Sequence, residues 1–111
     1  MASKIAVLTA RKKVQKVMDM LPKASLEEKK EVAQACIDNK FRETYDILAC
    51  LIRENDRDLV MAAIKGFEVN GDARATVHLS WLRNKTDASD KEMYTAIANA
   101  MLACRDTHKS M

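Results

Sequence analysis

Apolar side chains recur along this chain at intervals of three and four residues, the spacing that gathers them on one face of an α-helix. Val7, Ala10, Val14, Val17, Met18 and Leu21 form such a stripe in a first helix over about 4–21, and Pro22, which lacks an amide hydrogen, forbids its continuation. Ser25 and Glu28 stand at capping-box spacing ahead of a second stripe, Leu26, Val32, Ala33, Cys36 and Ile37. A third helix, about Lys40 to Arg53, carries Phe41, Tyr45, Leu48, Leu51 and Ile52. Asn55 or Asp56 caps a fourth, with Val60, Ala63, Ile64 and Phe67 facing inward, and Gly71 ends it in the left-handed conformation. Asp72 is the expected N-cap of a fifth helix reaching about Lys85, with Ala75, Leu79 and Leu82 inward. Ser89 and Glu92 repeat the capping-box spacing before a sixth, about 90–105, with Met93, Ala96, Ile97, Ala100, Met101 and Cys104 as its stripe.

Every connection between these helices is short, so neighbours are expected to run antiparallel. The stripes also repeat. A shift of 33 residues lays Val60, Ala63, Ile64 and Phe67 on Met93, Ala96, Ile97 and Ala100. A shift of 31 lays Cys36, Leu48 and Leu51 on Phe67, Leu79 and Leu82, which makes the segments 25–53 and 57–85 two similar hairpins. The stretch AIKGFEVNGDARATVHL, with Ala63, Ile64, Phe67, Gly71, Asp72, Ala75 and Leu79, resembles the short bacterial and archaeal type of HEAT repeat. The likeness is best over 56–85 and extends across the last helix. It implies a short right-handed α-α superhelix of six antiparallel helices, the first a cap, whose second helices line a concave face that binds proteins. Met61 and Tyr94 stand where that repeat often has Arg, and Arg83 near a usual Leu, so its Asp–Arg ladder is not expected here. A closed six-helix bundle is the alternative architecture.

Composition agrees with a single all-helical domain over 1–111. Apolar residues make up 48% of the chain, with two Gly and one Pro, too few of either for a chain built on strands and tight turns. No apolar run reaches the length of a membrane span, and charge occupies the N-terminal stretch where an export signal would be apolar. Three cysteines, an odd number without metal-type clustering, suit thiols in a reducing compartment, and the expected location is the cytoplasm.

Chemistry is harder to find. His78 and His108 belong to no recognisable nucleophile and base pattern, and no Gly-rich phosphate loop occurs. Cys104 and His108, four apart, could share a helical face but lack further metal ligands. Glu27, Glu28 and Glu31, like Asp87 and Asp90, sit where helix starts favour negative charge. The chain is therefore expected to be no enzyme and to hold neither cofactor nor metal.

Charge is unevenly spread. Residues 1–18 contain Lys4, Arg11, Lys12, Lys13 and Lys16 out of the 19 Lys and Arg residues, and none of the 16 Asp and Glu. That helix is expected to close one end of the stack with its lysines solvated, and binding of nucleic acid or an anionic surface through it is the alternative function. The leading expectation is a scaffold that binds another protein, of unidentified kind, along the second helices of its hairpins, with self-association at the last helix as a further possibility. The residues expected on that face are Arg42, Asp46, Arg74, His78, Trp81 and Lys85. Trp81 has two readings, a second core contact of a central helix or an anchor between cations.

Overall fold

The computed structural model describes residues 3–39 and 42–109, with side chains through Cys104. Lys40 and Phe41, expected at the start of the third helix, lie outside the described residues, as does the side chain of His108. The described chain is all-helical: α1 (Lys4–Ala10), α2 (Val14–Met20), α3 (Leu26–Asp38), α4 (Thr44–Leu51), α5 (Arg57–Asn70), α6 (Ala75–Lys85) and α7 (Lys91–Lys109), with a 3-10 turn at Leu21–Lys23. None of these helices is long and apolar enough to cross a membrane.

Seven α-helices replace the expected six because the first one is broken. The chain turns at residues 11–13, where Lys12 takes a left-handed φ of 64° and the Lys13 amide donates to the Leu8 carbonyl. A left-handed residue other than Gly costs about 1–2 kcal/mol, so something must offset it. The break lets α1 lie against α3 while α2 lies against α4. Accordingly α1 buries Ile5, Ala6 and Thr9 and leaves Val7 and Ala10 exposed, in place of the continuous stripe expected from Val7 to Leu21. Segment 4–21 is thus a folded-back pair of helices and not a single capping helix.

The other boundaries show which polar groups satisfy the free helix ends. Ser25 and Glu28 form the expected capping box, with Ser25 N–H donating to Glu28 Oε1 at 2.9 Å and Glu28 N–H to Ser25 Oγ at 3.2 Å. Asp56 caps α5 through the Leu59 amide at 3.0 Å, and Asn55 does not. Gly71 is left-handed, φ 69°, its amide bonded to the Phe67 carbonyl at 2.8 Å. Two expected caps are displaced. Asp72 accepts from the Arg74 amide in the connecting turn, so α6 starts only at Ala75. Asp90 receives the Met93 amide at the start of α7, while Ser89 donates both its amide and its hydroxyl to Asp87.

The helices stack in two rows. α1, α3, α5 and α7 touch in succession, as do α2, α4 and α6, and the rows join through α1–α2, α3–α4, α4–α5 and α6–α7. The shortest dimension, 21 Å, is two helix diameters. Ile47, Leu48, Leu51, Leu59, Ile64, Phe67, Leu79 and Ile97, all buried, fill the space between the rows as part of one continuous core.

Two expected outcomes arise here. Gly71→Val places a β-branched residue at φ 69° in the α5–α6 turn and should destabilise by about 1–3 kcal/mol in urea unfolding. Gly71→Asn, which tolerates that conformation, should lose clearly less. All three cysteines are free thiols. Burial pushes Cys36 up to about 12 and Cys104 up to about 11, whereas Cys50 is exposed, its thiol also raised, by partial burial first and then by the charges of Asp46 and Glu54. Iodoacetamide should therefore add one label to the native protein at mildly alkaline pH, and Cys50→Ser should abolish it, as read by intact mass.

Candidate protein-docking face on α4 and α6

One side of the thinner row carries a chain of aromatic and cationic groups. Arg74, His78, Trp81 and Lys85 follow one another at intervals of four, three and four, which lines them up along α6. Tyr45 and, just beyond the end of α4, Arg53 stand two turns apart on the neighbouring helix.

At one end the Arg74 guanidinium lies 4.0 Å from the centre of the Tyr45 ring. The same group forms an ion pair with Asp72, at 2.6 Å from Oδ2, and that hydrogen bond holds the Asp72 carboxyl below its ordinary range. Tyr45 reaches across to α6, its hydroxyl 2.9 Å from His78 Nε2. His78 in turn stacks on Phe67, with ring centres 6.0 Å apart and planes within 6° of parallel. Core and surface are joined here, because Phe67 is fully buried while Tyr45 and His78 are half-buried.

His78 Nδ1 is buried with no hydrogen-bond partner. Protonating the imidazole would add charge and a second N–H with nowhere to donate. Burial first, and the nearby Arg53 charge second, hold its pKa below the ordinary 6.5. Because the unfolded chain then takes up the proton more readily than the folded one, stability falls as pH drops through 6.5 and goes on falling until folded His78 itself protonates. The depressed carboxyls of Asp72, Asp87 and Asp90 act only lower, as pH falls through their ordinary 3.8. Urea midpoints should therefore decline between pH 7 and 5, and His78→Gln should flatten that decline while leaving the loss in stronger acid.

At the other end, Trp81 is half-buried and packs against the core. Arg53 Cζ lies 4.4 Å and Lys85 Nζ 4.5 Å from the centre of its ring, within range of a cation–π attraction. The core reading of Trp81 holds in part, since the side chain packs against the core while remaining partly exposed beside two cations.

Of the residues expected on this face, Arg74, His78, Trp81 and Lys85 are brought together. Asp46 and Arg42, both exposed, sit close enough for Asp46 to act on Arg74 and Arg42 on Asp72 through their charges. Tyr45 and Arg53 were not among them: Tyr45 was expected in the core stripe and Arg53 closed the helix. The eight-residue interval between them was a usable signal, because two turns of a helix return to the same side.

The basic segment is arranged otherwise. Lys4, Arg11, Lys12, Lys13 and Lys16 are all exposed, but the turn at 11–13 divides them between two helices and a loop, so no continuous basic helix exists. Among the described residues, no group of three or more His, Cys, Asp or Glu side chains is placed to hold a metal ion. Comparison with known proteins yields no matching family model, no matching curated protein and no matching solved structure.

Proposed function

We propose that this chain is a non-catalytic interaction module, a short HEAT-like array that docks another protein across the α4–α6 face. The observation that carries this is Trp81: a large, half-buried aromatic between two cationic side chains, continuous with Tyr45, His78 and Arg74. Trp, Tyr and Arg are the residues that dominate binding energy at protein interfaces, because they bring large contact areas together with directional polar groups. Here these side chains are already held by one another, which lowers the entropy lost on binding.

The succession of contacts, α1–α3–α5–α7 in one row and α2–α4–α6 in the other, supports an array reading, each hairpin touching the next. On that reading the folded-back segment 4–21 is a further hairpin, and the superhelix is right-handed as in the HEAT repeat. Nucleic-acid binding through the N-terminal segment is the weaker reading, since its cations are divided by the turn. Three free thiols suit a cytoplasmic location.

The test is site-specific photo-crosslinking. A photoreactive residue at position 85, beside Trp81, is compared in host cells with one at the exposed position 98 on α7. Defined protein adducts at 85 that are absent at 98, and lost with Trp81→Ala, are expected. Adducts only to nucleic acid, or equal yields at both positions, would contradict the proposal.

A further inference from the structure

We infer that the partner presents an acidic helical segment, with two carboxylates spaced one turn apart that straddle an apolar side chain seated on Trp81. This rests on the docking role of the α4–α6 face and names the chemistry of what docks there.

The inference comes from where the cations of the fold find partners. Lys29 is paired with Glu54, Arg57 with Asp90 and Glu92, Lys65 with Glu68, and Arg74 with Asp72. Other exposed cations, Lys23 and Lys91 among them, also have no carboxylate within ion-pair distance among the described residues. Arg53 and Lys85 share that lack and differ in that each has its charged group over the Trp81 ring. The acid next in sequence to Arg53 is Glu54, and it is held by Lys29 of α3 at 3.0 Å.

A protein that covers Trp81 must also remove water from Arg53 and Lys85. An uncompensated charge stripped of water is strongly unfavourable, and an aromatic face replaces only part of its hydration. A neutral partner would therefore leave two charges poorly solvated at the centre of the contact. A partner with carboxylates there turns the same burial into two charge-assisted hydrogen bonds.

Geometry narrows the form of that partner. Both cations lie within 4.5 Å of one ring centre, so a single contact on Trp81 meets both charges. Acids three or four residues apart on a helix are about 5–6 Å apart at Cβ and can reach such a pair together, leaving an intervening apolar residue over the indole. A nucleic acid fits less well. Asp46 and Glu43 are exposed at α4 and would repel a continuous phosphate backbone, and the two cations on Trp81 mark one spot instead of a track.

Trp81 is the only tryptophan in the chain, so its fluorescence reports on this spot in the intact protein. The probes are three tryptophan-free helical peptides with one leucine framework, carrying Glu, Gln or Lys at the positions flanking the central Leu, together with a single-stranded oligothymidine. The Glu peptide should perturb Trp81 emission and bind at least about tenfold more tightly than the Gln peptide at low salt, an advantage that shrinks as salt screens it. Arg53→Gln with Lys85→Gln, both at exposed positions, should erase that advantage while the protein still unfolds in one cooperative transition by circular dichroism. Arg53→Glu with Lys85→Glu should transfer the preference to the Lys peptide. Equal binding of the Glu and Gln peptides, tighter binding of the oligonucleotide, or no perturbation by any peptide would each overturn the acidic partner. The docking role is judged separately, by protein adducts at position 85.

Discussion

Phe67→Ala is expected to lower the unfolding free energy by about 3–5 kcal/mol, the largest loss of any single substitution considered for this protein. The ring is fully buried in the last turn of α5, where it meets Tyr45 at 6.1 Å and His78 at 6.0 Å between ring centres. Its truncation removes apolar contact area and leaves a cavity beside Tyr45 of α4 and His78 of α6. Backbone ties remain in place: the Phe67 carbonyl still accepts from the Gly71 amide and lies 3.7 Å from the Cys104 sulfur. They cannot fill the space left by the ring. For a domain of this size the melting temperature should fall on the order of 20 °C, as followed by circular dichroism. The substitution reaches the surface as well, because His78 loses the ring on which it stacks. Trp81 emission should therefore change even under conditions where Phe67→Ala remains folded. A loss below about 1 kcal/mol would mean that α5 is not the central helix of the core.

Gly66→Val is the second large effect, expected at about 2–3 kcal/mol. Gly66 is buried one residue before Phe67, facing Leu48 of α4. A Cβ there would stand 2.5 Å from Leu48 Cδ2, 3.0 Å from Cδ1 and 3.3 Å from Cγ. The end of a leucine can often swing aside, but Leu48 is fully buried, so its movement must displace other core side chains. A glycine inside a helix ordinarily costs about 1 kcal/mol relative to Ala, so Gly66→Ala recovers part of what the clash removes, whereas Val recovers less and adds two more carbons. The partner substitution separates the clash from other causes. In the Leu48→Ala background, Gly66→Val should cost far less than in the wild-type chain, because the obstructing isobutyl group is gone. Additive losses in urea unfolding would show that the two side chains do not share the space.

The parts of the fold legible in the sequence are those governed by local chemistry. Ser25 with Glu28, Asp56 before α5 and Gly71 after it needed only the free backbone groups of a helix end and a residue able to satisfy them or to adopt positive φ. The stripes of α3, α5 and α7 were visible because apolar residues recur with the helical period on the side each helix buries, although Leu26, expected in the first of them, is exposed. The turn at 11–13 was not visible. Three consecutive basic residues carry no Gly, Pro, Asn or Asp to mark a break, and Val7 to Leu21 fits an unbroken helix by spacing alone. The start of α6 was misplaced for a related reason: Asp72 caps the turn at Arg74 and not the helix, and both uses look the same in a sequence.

The candidate face on α4 and α6 shows the same division. Arg74, His78, Trp81 and Lys85 share one helix, so their alignment followed from spacing. Tyr45 and Arg53 joined them only because α4 lies beside α6, bringing residues more than 25 positions apart within hydrogen-bond and cation–π distance. What the sequence by itself determined is the helical class, most of the segment boundaries and the polar stripe of α6, since these depend on side chains within a few positions of one another. What only the tertiary structure decided is the reversal at Lys12, the burial of the His78 nitrogen and the pairing of Trp81 with both Arg53 and Lys85. Each depends on which helices become neighbours, and that is settled by how buried surfaces fit across the whole chain, where a left-handed lysine or an unpartnered nitrogen is tolerated in exchange for a better-filled core.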